Sequence, residues 1–285
     1  MTHAGARRWL AVPLWQRWRC FRYNESEVCF LQQERAGVDG HSLYLGRCFR
    51  IPVRVHATWP VSFLLIAASL GAGYYPQAYP GWSLPVYAAA GVVTSLLIFV
   101  SIVAHELAHC LVARWRGLEV HDIVLFLLGG VSQIDREPSS PSVELAMAMA
   151  GPLASLALAV VLGLVWLVCL PLAEPLAAMS GYVAGLNGAV AVFNLMPGFP
   201  LDGGRVVRAL LWWRNHDLAR ATNLASILGR LVAYGFVGVG IWQACGGYAV
   251  DAVWFALIGG FLDRAARASR YAPGAEVMDA GSGLV

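Results

Sequence analysis

Charge is scarce in this sequence. Only 13% of its 285 residues are charged, against 58% hydrophobic, where a soluble globular chain carries about a quarter charged residues. With a mean hydropathy of +0.61, the shortage excludes an ordinary soluble domain and points to an integral membrane protein. Lysine is missing altogether. All twenty basic residues are arginine, a bias that assigns no chemistry by itself. The first 56 residues hold many arginines and no long apolar run, so no cleavable signal peptide is expected. A C-x-x-C pair is also lacking. The six cysteines, at 20, 29, 48, 110, 169 and 245, are scattered, which argues against a disulfide framework or a thiolate zinc site and in favour of reduced thiols. Cys110 adjoins a histidine in sequence, but on a helix it points away from His105 and His109 and is read as packing.

In place of charge there are long uncharged stretches. Val55 to His105 contains no Asp, Glu, Lys or Arg. It is too long for one membrane crossing, and "GYYPQAYPGWSLP" (73–85) breaks it with Gly, Pro and interfacial aromatics. Two helices follow, over roughly 58–75 and 86–116. A third uncharged run covers 145–173 and a fourth about 177–197. The region 222–262 holds two more, with "CGGY" as the turn between them. The fold class expected is an all-α polytopic membrane protein with about six transmembrane helices and a short β-hairpin near the active site. Residues 1–42 read as a basic segment of uncertain order, 43–265 as the main domain, and 266–285 as an exposed tail.

Arginine placement orients these spans. The N-terminal segment, the 106–142 loop, the 202–220 loop and the C-terminus hold nine, three, four and three arginines, and the three opposite loops hold none. The positive-inside rule makes the arginine-rich side cytoplasmic. The expected location is the bacterial plasma (inner) membrane with both termini in the cytoplasm. Arg230 lies inside the fifth span, where it must snorkel or pair internally. The second and fourth spans both run toward the cytoplasm. One ends at His105-Glu106-x-x-His109 and the other near Asp202, so topology alone brings these residues to one membrane face.

His105 and His109 are four residues apart, and their rings therefore lie one helical turn apart on one face, a spacing suited to two ligands of a tetrahedral Zn²⁺. Glu106 is offset around the helix, within reach of an attacking water but not of the metal. This is the H-E-x-x-H arrangement, in which zinc acidifies water and the glutamate takes its proton. A catalytic zinc usually has a third protein ligand. The candidate is in "NLMPGFPLDGGRVV" (194–207), where Pro197 and Pro200 end a span and Asp202 sits on a constrained loop. Spacing leaves two roles open for Asp202, a metal ligand or the N-cap of a helix starting near Gly203. The stretch "VHDIVLFLLGGVSQI" (120–134), with Gly-Gly near its centre, reads as a cytoplasmic hairpin. Its edge strand would capture an unwound substrate by backbone pairing. "AMAMAGPLAS" (146–155) supplies small residues for close helix packing, with Pro152 able to loosen the helix locally. His56, His121 and His216 are read as structural or surface residues.

Taken in order, "HELAH", "LLGGVSQI", "AGPLAS" and "FNLMPGFPLDGGR", with "LGRCFRIPVRVHATW" ahead of the first helix, resemble the site-2 protease family of intramembrane zinc metalloproteases over roughly residues 43–262. The resemblance implies one Zn²⁺ held by His105, His109 and Asp202, with Glu106 as the base. It implies that Asn194 orients the substrate or stabilises the oxyanion. It also implies an endopeptidase that cuts single-span membrane proteins within the lipid bilayer near the cytoplasmic face, as in regulated intramembrane proteolysis, with no role for nucleic acid. The residues themselves suggest neither a PDZ-like insertion nor a nucleotide-sensing pair of CBS domains. Two other classes are weighed. A divalent-metal transporter would want polar residues along several spans, and here the polar cluster is confined to one face. A catalytically silent relative that binds client helices fits poorly with an intact Glu106. The sequence leaves the oligomeric state open.

Overall fold

The computed structural model describes residues 42–126, 129–134 and 137–270. The basic N-terminal segment and most of the expected C-terminal tail therefore lie outside the described residues. The chain enters through two strands, β1 (Ser42–Cys48) and β2 (Ile51–His56), and climbs through helix α1 (Trp59–Ser69). A π-helical turn (Leu70–Tyr74) and a short α2 (Tyr75–Ala78) follow, before the long α3 (Leu84–Trp115). Strands β3 (Val120–Phe126) and β4 (Gly129–Ile134) come next. Then follow α4 (Pro141–Cys169), α5 (Glu174–Asn194), α6 (Asp202–Asn215), α7 (Leu218–Cys245) and α8 (Ala249–Ala268).

Among the described residues, four helices, α3, α4, α5 and α7, are long and apolar enough to cross a membrane. Their composition explains both faces. On α4, Leu153, Val160, Leu164 and Val168 are exposed while Gly151, Pro152 and Ser155 are buried. Small residues meet the neighbouring helices and branched ones face outward, as lipid requires. The other two expected spans differ in character. The first is segmented by the π-helical turn, and α8 carries Asp251, Asp263, Arg264 and Arg267 along its 20 residues. Arg230 on α7 is paired internally. Its Nε lies 3.2 Å from Asp263 Oδ1 of α8, and its Nη2 donates to the Tyr234 hydroxyl at 2.7 Å.

The sheet is larger than the single hairpin expected. Its order is β1-β2-β3-β4, with β2 and β3 parallel and the outer pairs antiparallel. The additional strands come from residues 42–56, part of a stretch read from sequence as a basic segment and the entry to the first helix. A parallel β2–β3 pair needs a long crossover, and α1 to α3 supply it. Gly129 and Gly130 pair with Phe126 and Leu125 inside the β3–β4 ladder, and Gly129 adopts φ 149°.

The ends of the helices are tied by specific contacts. Tyr75 is fully buried and its hydroxyl hydrogen-bonds Thr94 Oγ1 at 2.7 Å. Trp82 stacks between Tyr79 and Tyr87, and its Nε1 donates to Glu174 Oε2 at 2.7 Å, which fastens the α2–α3 linker to the start of α5. Deeper in, Asn187 Nδ2 of α5 donates to Ser101 Oγ of α3 at 3.0 Å. Such interhelical bonds hold a bundle together where hydrophobicity gives no preference between lipid and protein.

Candidate active site

Helix α3 divides its side chains between two neighbours. His105 and His109 face α4, while Ile102 and Glu106 face β4. The i, i+4 spacing places each set on its own stripe. Toward α4, the two imidazoles are fixed from behind. His109 Nδ1 donates to the Met147 carbonyl at 2.7 Å, and His105 Nδ1 is hydrogen-bonded to Ser155 Oγ at 2.9 Å. A carbonyl can only accept, so Nδ1 of His109 carries its proton and Nε2 presents a lone pair. This is the outer support that metal-binding histidines commonly have.

The third member comes from α6. Asp202 is the first residue of that helix, Leu201 occupies the N-cap position, and no side chain caps the helix. The carboxylate turns instead toward the imidazoles. Asp202 Oδ2 lies 3.2 Å from His105 Nε2 and 3.3 Å from His109 Nε2, and the two Nε2 atoms are 3.2 Å apart. Burial alone would raise the Asp202 carboxyl, but the two facing imidazoles outweigh it and hold it below the ordinary carboxylate range. Asp202 Oδ2 and the two Nε2 atoms thus converge from α3 and α6 on one small space ringed by three possible metal ligands.

A metal ion fits. Zinc bonds to nitrogen and oxygen are about 2.0 to 2.1 Å long, so tetrahedral angles separate donor atoms by about 3.3 Å. The three donors form a triangle of that size. Two His and one carboxylate with one open position is a donor set used by catalytic zinc.

Several glycines permit this geometry. A Cβ at Gly151 would come within 2.2 Å of His109 Nε2, so only glycine lets α4 approach the imidazoles. The loop before Asp202 is equally tight. A Cβ at Gly203 would sit 2.3 Å from Met196 O, and one at Gly229 would sit 2.1 Å from Phe199 O. Gly198, at φ 142°, closes against Gly229 on α7. The "PGFPLDGG" segment is therefore clamped between α5 and α7, which sets where Asp202 points.

A cleft of about 500 Å³ opens at this cluster, lined by His105, Glu106, His109, Asn194 and Asp202 and bordered by β4 residues Gly130 to Ser132. A second, more apolar space of about 390 Å³ continues past Glu106 and Asn194 along α3 and α5 to Ser101 and Asn187. Arg208 closes one wall. Its Nε donates to Glu144 Oε1 at 2.5 Å, and its guanidinium lies 5.4 Å from the centre of the Phe199 ring.

All five residues singled out from sequence thus line one cleft. Sequence reasoning missed Ser132, Met147, Gly151 and Ser155, which hold or border them. In sequence, "AMAMAGPLAS" signals close helix packing through its small residues and nothing more specific. Among the other histidines, His56 Nδ1 bonds Thr58 Oγ1 at 2.9 Å, and His216 ends α6 in a left-handed conformation. Cys110 packs with Ile51, Leu107 and Ile123, away from the cluster.

Comparison with known proteins agrees with this architecture. Residues 93–180 and 170–235 match the model of peptidase family M50. The chain is 38% identical over 225 residues to Rip3 of Mycobacterium tuberculosis, named as a candidate zinc metalloprotease; this covers 78% of this chain and 57% of the relative. It is 35% identical over 245 residues to sll0528 of Synechocystis, named likewise, covering 84% and 63%. The chain therefore spans less than two thirds of the length of these relatives. Among solved structures, the site-2 protease from Methanocaldococcus jannaschii aligns with a TM-score of 0.53 at 26% identity, covering 82% of this chain and 98% of that one.

Proposed function

The chain belongs to peptidase family M50, the site-2 proteases, and on that premise we propose that it is a zinc endopeptidase that cleaves transmembrane segments of single-span membrane proteins near the cytoplasmic face. The observation that carries this reading is the triangle of donors from His105, His109 and Asp202, 3.2 to 3.3 Å on each side, opening on the cleft that Glu106 lines. Zinc bound there supplies a Lewis acid that polarises a peptide carbonyl and acidifies water.

The protein's own residues do the rest. Glu106 accepts the proton of the attacking water and returns it to the leaving amine nitrogen. Asn194, on the cleft wall, orients the scissile carbonyl and donates to the oxygen as charge develops there. A helical substrate hides its carbonyls, so it must be extended before attack. β4 is the last strand of the sheet and borders the cleft. An unwound segment pairing along it would bring its backbone to Glu106.

The topology proposed is six crossings with both termini cytoplasmic, in the plasma membrane of a bacterium. The charge-free helical run 59–78, at about 1.5 Å per residue, reaches about 30 Å despite its π-helical turn. α8 is the sixth crossing, with Asp263 neutralised by Arg230 and Arg267. The arginine asymmetry supports this orientation.

The test compares the purified chain with Glu106→Gln. Zinc is expected in both, and cleavage of a single-span substrate only in the unaltered protein. Cleavage by the variant would overturn the mechanism, and metal flux into liposomes by either form would favour a transporter.

A further inference from the structure

The stripe of α3 that carries Glu106 faces a strand, and that strand is shaped around the glutamate. Residues two apart on a strand share a face, so Gly130 and Ser132 of β4 both look toward α3 while Val131, 50% exposed, looks away. At Gly130 there is no room for a side chain, because a Cβ would lie 2.9 Å from Glu106 Cγ and 3.3 Å from Ile102 Cγ2. At Ser132 the hydroxyl donates to Glu106 Oε2 at 2.7 Å, with the Glu106 carbonyl 3.4 Å away. One residue is thus a wall for the aliphatic stem, and the other a donor for one carboxylate oxygen.

We propose that Ser132 is a positioning residue for the general base, a role that rests on reading Glu106 as that base. An unrestrained glutamate side chain explores several rotamers and presents either oxygen. The Ser132 bond takes Oε2, the Gly130 backbone blocks the stem from swinging toward the sheet, and Oε1 is left as the oxygen that accepts the proton. Ser132 itself exchanges no proton with substrate. Because β4 is also the strand along which an extended substrate would pair, substrate docking and base alignment share one element.

The prediction concerns turnover rather than binding. Outer-shell partners of catalytic groups typically cost about 10- to 100-fold when removed. Ser132→Ala in the full-length protein should lower kcat on a single-span substrate by about that factor, with KM and bound zinc unchanged. Ser132→Thr keeps the hydroxyl and should retain most of the rate. Ser132→Val, of the same shape without the hydroxyl, should match Ala.

Full kcat in Ser132→Ala overturns the inference. So does an equal loss in Thr and Val, which would mean packing, or a raised KM at unchanged kcat, which would mean that β4 only binds substrate. These failures are distinct from failure of the functional reading, which would appear as cleavage by Glu106→Gln or as no cleavage by the unaltered protein.

Discussion

Gly151 and His109 are so close that a single methyl group would not fit between them. A Cβ at position 151 would fall 2.2 Å from His109 Nε2 and 2.6 Å from His105 Nε2, so the α4 backbone itself forms one wall of the His105–His109–Asp202 cluster.

The first prediction follows from that contact. Alanine is favoured over glycine inside a helix by roughly 1 kcal/mol, so Gly151→Ala should leave α4 folded. Its methyl must nevertheless displace an imidazole. Bound zinc should fall at least about tenfold and cleavage with it, while helical content by circular dichroism stays unchanged. Full zinc occupancy in this variant would mean that the imidazoles can move away without losing the metal.

A second prediction separates the two roles that sequence left open for Asp202. Loss of a capping carboxylate typically costs about 1 kcal/mol of stability. Here the N-cap position is Leu201 and the carboxylate faces the imidazoles. Asp202→Ala should therefore strip zinc and abolish cleavage, losses that removal of a capping carboxylate alone would not produce. A destabilised apo-protein with normal zinc content would restore the capping role.

That ambiguity shows where sequence reading stops. The helical period alone puts His105 and His109 together, because both lie on one continuous element. Asp202 reaches them through tertiary packing, of α6 against α4 and of the preceding loop between α5 and α7, and a local pattern cannot tell a capping aspartate from a ligand. Ser132 and Gly151 gave no distinct signal, since serine and glycine are ordinary at close contacts. The apolar helices were legible from their lack of charge. The β1–β2 hairpin was not, because "SLYLGRC" and "IPVRVH" read only as the lead into the first helix until a parallel partner, β3, is supplied from some seventy residues further on.

Glu144 and Arg208 provide a third test. Their ion pair links α4 to α6 with side chains 1% and 10% exposed, and Glu144 Oε2 has no further partner. Removing one charge from a buried pair costs about 3 to 5 kcal/mol, whereas replacing both with apolar groups is often neutral. Arg208→Met alone should destabilise the protein by that amount and loosen Asp202, which begins the same helix. The double variant Glu144→Leu/Arg208→Met should recover most of the loss. Thermal unfolding in detergent reads the difference, and an equal loss in the single and double variants would show that the pair acts through something other than its charge.

Metal removal tests the site with no substrate at all. A ligand that binds only the folded state stabilises it by RT ln(1 + [L]/Kd), about 4 kcal/mol when free metal is near 1,000 times Kd. For a chain of this size each kcal/mol moves Tm by about 2 to 4 °C, so stripping zinc with a chelator should lower Tm by about 8 to 16 °C. The loss should be reversed by added zinc. Because His105 and His109 come from α3 and Asp202 from α6, the ion ties these two helices together. The unfolding that chelation promotes should therefore begin with α6 and the 195–201 loop, seen as faster amide exchange there than in α3. In Asp202→Ala the chelator should change neither Tm nor exchange. A chelator-induced shift of the same size in that variant would place the stabilising metal somewhere other than this triangle.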